Sequence, residues 1–173
     1  MTNINRKGAL ALLLTVLVLC NAIGAGGATK DLLTFEEAST IVLKEVEGTV
    51  TKVEMDYKGR TLVYEVEILD NTNREHDFEI DAETGEVLTQ HTDRRVKSTT
   101  YGKRIRGAKI TAEEAIAIAQ KESGDATLVS YELDVENGKV YWEVQLYEGR
   151  TEYEVIINAS TGKVLYVDVD YDD

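Results

Sequence analysis

One pattern occurs twice in this chain. Thr34-Phe35-Glu36-Glu37-Ala38 returns as Thr111-Ala112-Glu113-Glu114-Ala115, and Asp81-Ala82-Glu83-Thr84-Gly85 returns as Asn158-Ala159-Ser160-Thr161-Gly162. Both returns fall 77 positions downstream, so the copies correspond along their whole length. A period of this size is too long for a solenoid unit and suits a small domain. Two sister domains are therefore expected, residues 32–91 and 110–168, joined by a basic linker at 92–109 and followed by an acidic tail at 169–173.

Local signals give each copy the same plan. Thr34 with Glu37, and Thr111 with Glu114, have the spacing of a capping box, in which each side chain satisfies a backbone amide at a helix start. In the first helix Phe35, Ala38, Ile41, Val42 and Val46 gather on one face. Gly48 and Gly124 are placed to end the two helices. Beyond each helix the period changes from 3.6 to 2, which marks strands. Tyr131, Leu133 and Val135 alternate with acids, Asn137-Gly138 supplies the pair a type I′ hairpin prefers, and Val140, Trp142, Val144 and Leu146 resume the apolar side. Tyr153, Val155 and Ile157 make a third strand, and Val164 to Val167 a fourth. The first copy repeats this with Val53, Met55 and Tyr57, then Tyr64, Val66 and Ile68, then Phe78 and Ile80, then Val87 and Leu88. The fold class is α+β: two tandem repeats, each one N-terminal helix packed on an antiparallel four-stranded meander.

One helix can cover one face of such a sheet, and the other face stays open. Alternation assigns to it Tyr141, Glu143, Gln145, Tyr147, Glu152 and Glu154 in the second copy, and Glu65, Glu67, Glu75, Asp77 and Glu79 in the first. Tyrosines among carboxylates suit a protein contact, so Tyr141, Glu143, Tyr147, Glu65 and Glu67 are the candidate partner-binding residues. The alternative is that this face packs against the sister domain. Trp142, on the apolar side, is expected in the core.

Residues 1–28 run from Arg6 and Lys7 through an apolar stretch, Ala9 to Leu19, into small residues. Those are the three regions of a secretory signal, and the stretch is shorter than a membrane span requires. Export to the medium, periplasm or cell envelope is expected, with membrane contact only through an uncleaved anchor. Cys20 is the single cysteine; Leu19 before it disfavours lipidation, and cleavage beyond it leaves a chain without disulfides. The net charge of −13 argues against a nucleic-acid partner. Against that background the run Arg94, Arg95, Lys97, Lys103, Arg104, Arg106 and Lys109 contains no acid. It either offsets the acidic domains or attaches the protein to an anionic envelope surface.

Catalytic chemistry finds no footing. The two histidines, His76 and His91, have no counterparts in the second copy, and strand alternation sends Glu75 and Asp77 to the face opposite His76. His76 reads as an ordinary surface histidine. No phosphate loop, nucleophile elbow or His-Glu-x-x-His motif occurs. The terminal Asp168, Asp170, Asp172 and Asp173 lack the glycine and terminal glutamate of an EF-hand loop. No cofactor, metal site or enzymatic activity is expected.

A capped helix, a meander, and then Asp81 to Val87 (Asp-Ala-Glu-Thr-Gly-Glu-Val) or Asn158 to Val164 (Asn-Ala-Ser-Thr-Gly-Lys-Val) resemble the PepSY domain, of cystatin-like plan, twice. The resemblance implies a non-enzymatic module that binds or inhibits a peptidase, here in trans, since no peptidase domain accompanies it. A second expectation is an envelope sensor or scaffold component that regulates a membrane signalling protein. The shared residues are structural: Gly85 and Gly162 as turn residues at positive φ, and Asp81 and Asn158 as side chains tying down the turn backbone.

Overall fold

The computed structural model describes residues 31–171. The signal-like segment, Cys20, Asp172 and Asp173 lie outside them. The first repeat runs α1 (Phe35–Leu43), β1 (Gly48–Lys58), β2 (Thr61–Asp70), β3 (Arg74–Asp81) and β4 (Val87–Val96). A short α2 (Thr99–Ile105) leads to the second: α3 (Ala112–Ser123), β5 (Thr127–Glu136), β6 (Lys139–Glu148), β7 (Thr151–Asn158) and β8 (Val164–Tyr171).

Both capping boxes close. The Glu37 amide donates to Thr34 Oγ1 at 3.1 Å and the Thr34 amide to Glu37 Oε2 at 2.8 Å; Glu114 and Thr111 do the same at 3.2 and 3.0 Å. Gly124 caps α3 at φ 69°. Gly48, by contrast, does not end α1, which stops at Leu43 with Lys44 as its cap. It opens β1 instead, where a Cβ would lie 2.5 Å from the Leu69 carbonyl oxygen. Crowding against the neighbouring strand, not helix termination, requires glycine there. The expected type I′ turn forms, with φ 50° at Asn137 and 78° at Gly138.

The two meanders join into one antiparallel sheet in the order β4-β3-β2-β1-β5-β6-β7-β8. The joint is β1 against β5, with Lys52 opposite Glu132, Val53 opposite Tyr131 and Glu54 opposite Ser130. Val53 pairs with Val66 inside its own repeat as Tyr131 pairs with Val144, and each first strand carries an irregularity just upstream, between Val50 and Lys52 or between Leu128 and Ser130. Val53 and Tyr131 are thus equivalent positions facing each other, 78 residues apart rather than the expected 77, because the copies are offset by one residue through their first two strands and return to 77 in the third. The flanking pairs exchange under the same operation. A local two-fold axis therefore passes through this pair, and the joint is self-complementary, as in a symmetric dimer.

α1 and α3 lie on the same face. Ala38 and Val42 of α1, and Ala115 and Ala119 of α3, are fully buried against it. Phe35 bridges the repeats, its ring 5.0 Å from that of Tyr64 and 6.1 Å from that of Tyr131; Ser39 Oγ lies 3.1 Å from the Tyr131 hydroxyl. Trp142 is in the core as expected, stacked edge-on against Tyr131 and donating to the Ile110 carbonyl at 2.9 Å. The two repeats consequently share one hydrophobic core.

The segment 92–109 contains the end of β4, with Arg94 and Arg95, and α2. Ser98 caps α2 by accepting from the Tyr101 amide at 3.1 Å. Lys97 pairs with Glu75 at 2.8 Å, Tyr101 donates to Asp134 Oδ1 at 3.1 Å, and Ile105 is buried in the core. Arg106 reaches back to Asn73 Oδ1 in the β2–β3 turn at 2.7 Å. α2 therefore clasps the joint from the end of the sheet, touching both repeats. His76 is not a surface residue: its Nε2 lies 3.0 Å from Asp70 Oδ2 and its Nδ1 3.1 Å from Thr92 Oγ1, pinning the β2–β3 turn to β4.

Candidate partner-binding face

Helices cover one side of the sheet, and the strand pattern sends every second residue to the other. All five candidate residues, Tyr141, Glu143, Tyr147, Glu65 and Glu67, lie on that open side, because Tyr64, Val66, Trp142, Val144 and Leu146 between them point into the core. The face does not pack against a sister domain, since the repeats meet edge to edge. The β1–β5 joint makes it one surface, to which β1, β2, β3, β5, β6, β7 and β8 all contribute carboxylates.

Register sets many of these carboxylates directly opposite one another. Glu54 faces Glu65, Glu65 faces Glu79, Glu67 faces Asp77, Glu132 faces Glu143, Glu154 faces Asp168 and Glu152 faces Asp170. Like charges in directly opposed positions destabilise a sheet. Three lysines relieve part of this in the first repeat. Lys52 pairs with Glu54 at 2.6 Å, Lys58 lies 2.5 Å from Glu65 and 3.4 Å from Asp56, and Lys97 reaches Glu75 from the linker.

The middle of the face is the most strained electrostatically. Burial disfavours the charged form of Glu67 and outweighs the opposing field of Lys52, and with Glu132, Asp77 and Glu75 also acting upward its carboxyl is pushed up to about 7. Glu143 is also pushed up to about 7, by burial first and then by Glu154 and Glu132. Burial, aided by Asp134 and Glu54, raises Glu132 as well. Lys52 feels burial in the opposite sense, but its hydrogen bond to Glu54 and the surrounding carboxylates hold it above its ordinary value.

Tyrosines edge this acidic field. Tyr141 donates to Asp134 Oδ2 at 3.4 Å, beside the Tyr101 hydroxyl on Oδ1. Burial, then Asp134, raises both phenols. Tyr147 is half-buried next to Gln145 on β6. Tyr166, opposite Ile156 on β8, is 52% exposed on the same face. Sequence reading missed Tyr166, Glu132, Asp134, Glu54 and Lys52 as members of this surface. Alternation around Val53 and around Tyr131 was a usable signal for each first strand, but only the β1–β5 pairing brings those strands together.

The turn residues have the structural parts expected of them. Asp81 Oδ1 accepts from the Glu83 amide at 3.0 Å, the Thr84 amide at 2.7 Å and the Thr84 hydroxyl at 2.9 Å. Asn158 Oδ1 accepts from the Ser160 amide and the Thr161 hydroxyl, each at 3.0 Å. Gly85 and Gly162 follow at φ 74° and 69°, which only glycine adopts without strain. Among the described residues no group of His, Cys, Asp and Glu side chains has the geometry to hold a metal ion.

Known proteins share this architecture. The CD1622 protein of Clostridium difficile 630, a candidate lipoprotein, superposes with a TM-score of 0.52 at 23% identity, covering 82% of this chain and 97% of that one, which is a likeness of fold. YkoJ of Bacillus subtilis strain 168, an uncharacterised protein, is 30% identical over 141 residues, 81% of this chain and 76% of the relative. The PepSY family, described as "Peptidase propeptide and YPEB domain", matches residues 32–91 and again 109–168. The chain belongs to the PepSY family and carries two copies of its domain in tandem.

Proposed function

We propose that this protein is an exported, non-enzymatic binding module whose open sheet face engages an extracellular or envelope peptidase and inhibits or regulates it in trans. The observation that carries the reading is the alignment of like-charged pairs across that face. A face serving only as solvated surface gains nothing from opposed carboxylates, which cost stability. A partner with a basic surface relieves the repulsion on binding and draws its association rate from the same field. Tyrosines at the margin supply apolar contact with a polar tip. The family's description names a peptidase propeptide, which supports a peptidase as the partner. The signal-like N-terminal sequence supports export, and the candidate-lipoprotein neighbour is consistent with an envelope setting.

The test adds purified protein to the secreted and envelope peptidases of its source during casein hydrolysis, and passes the same extract over immobilised protein. Slowed hydrolysis, relieved as salt is raised and weakened in Tyr141→Ala and Glu143→Gln while both variants keep the wild-type circular dichroism spectrum, is the expected outcome. No slowing together with no retained peptidase overturns the peptidase reading. Retention of a membrane sensor without any effect on proteolysis supports the envelope-regulator alternative instead.

A further inference from the structure

Away from the acidic face, the end of the second repeat holds a cavity of about 360 Å³ between α2, the β5–β6 turn and the β7–β8 turn. Its charged lining residues are Arg104 and Lys139; Asn158, Ser160, Gly107 and Gly138 complete the polar and backbone wall, and no carboxylate takes part. In a chain of net charge −13 this is a local inversion of sign. Arg104 makes no ion pair among the described residues. It is nevertheless held in place, because Tyr101–Asp134, Arg106–Asn73 and buried Ile105 fix α2 and its guanidinium packs over Gly138. A Cβ at position 138 would lie 3.2 Å from Arg104 Nη2.

A comparison between the repeats gives an independent sign that this turn has been fitted to an anion. The β3–β4 turn of the first repeat carries Asp81, Glu83 and Glu86; at the matching places the β7–β8 turn carries Asn158, Ser160 and Lys163. All three acids are gone and the backbone geometry is kept, since Asn158 Oδ1 makes turn bonds equivalent to those of Asp81. With Oδ1 occupied, the Asn158 side chain has an N–H₂ donor to spare. The cavity thus assembles a guanidinium fork, an ammonium, an amide donor and a hydroxyl, which is the complement of a tetrahedral oxyanion.

We propose that this cavity is a binding site for the phosphate group of a phosphate ester. Its volume leaves room for the first substituent of the ester and falls at the small end of ligand sites. The phosphate has two possible sources, a soluble or polymer-borne glycerol phosphate and the headgroup of an anionic lipid. In either case the site would hold the protein to an anionic layer by one end and leave the acidic face clear.

The full chain is titrated with glycerol 3-phosphate while backbone amides are followed by ¹⁵N NMR, and is then sedimented with vesicles of phosphatidylglycerol or of phosphatidylcholine. Saturable shifts centred on Gly107, Gly138 and Ser160 are expected. Arg104→Gln and Lys139→Gln should each weaken binding about tenfold, while Lys121→Gln, an exposed lysine on α3, should not. Asn158→Asp restores the first repeat's residue without disturbing the turn, and should weaken binding as much through charge alone. Binding to glycerol 3-phosphate with no vesicle binding assigns the soluble or polymeric source; additional retention on phosphatidylglycerol alone assigns the lipid. Shifts spread over all basic residues, equal loss in Lys121→Gln, an equal response to acetate, or no saturation with either probe overturns the proposal.

Discussion

Glu67 and Glu143 illustrate at the residue scale what it costs to concentrate acids on a sheet. Both are half-buried, and both carboxyls are pushed up to about 7 from an ordinary value of 4.5. A carboxyl whose folded value exceeds its unfolded value binds more protons in the folded state between the two. Its presence therefore favours folding as pH falls through that window and disfavours it as pH rises. Asp70 works in the other direction. Burial tends to raise it, but hydrogen bonds from the Arg74 amide, His76 and Thr72 hold it well below its ordinary 3.8, so its contribution is lost only in stronger acid. Thermal stability should accordingly rise from pH 8 to about pH 5 and fall again below about pH 4. At pH 8 Glu67→Gln and Glu143→Gln should each stabilise by about 1 kcal/mol, a discounted value for groups that keep some contact with water. In the double variant the slope between pH 5 and pH 8 should flatten. Melting curves across that range decide it, and a Tm that climbs with pH in the wild type would contradict the assignment of burial and repulsion at these two sites.

Among the elements, α2 does the most for the least sequence signal. Its residues, TTYGKRI, contain a glycine and two cations and too few apolar positions to show a helical period, so charge dominates and the stretch reads as a linker. Only the Ser98 cap and the single apolar Ile105 hint otherwise. The longer helices and the hairpins were legible because their signals are local: a capping box, a period of 3.6 or 2, an Asn-Gly turn. The β1–β5 joint was not, because pairing between two edge strands depends on residues far apart in sequence, and the open face was legible strand by strand but not as one surface. Gly48 shows the same limit, since its glycine answers a neighbour's carbonyl rather than the helix before it. If α2 is a structural clasp, Ile105→Ala should destabilise the protein by about 3 kcal/mol, as for a fully buried aliphatic side chain in the core. A solvated linker would tolerate the change within a few tenths of a kcal/mol. Urea denaturation distinguishes them through the midpoint at constant slope.

On the scale of the whole molecule, the question is whether two PepSY copies behave as two domains or one. The β1–β5 ladder is short compared with the ladders inside each repeat. By itself such a joint would let the halves separate. What it lacks in length is supplied on one side by Phe35, which touches Tyr64 and Tyr131 in a shared core, and at the end of the sheet by α2. Splitting the chain would part Phe35 from Tyr131 and expose β1 and β5 as flat edges without proline. Unfolding is therefore expected to be one cooperative transition. Trp142, the single tryptophan, lies in the second repeat, whereas the fully buried Phe78 lies in the first. Phe78→Ala should cost about 4 kcal/mol. If the repeats are one unit, it should move the Trp142 fluorescence transition by the same amount as the far-ultraviolet circular dichroism transition, since coincidence of probes is the mark of two-state behaviour. Fluorescence that keeps the wild-type midpoint while part of the dichroism melts early would mean that the second repeat stands alone, and that the open face is two half-surfaces free to move apart rather than one surface presented to a partner.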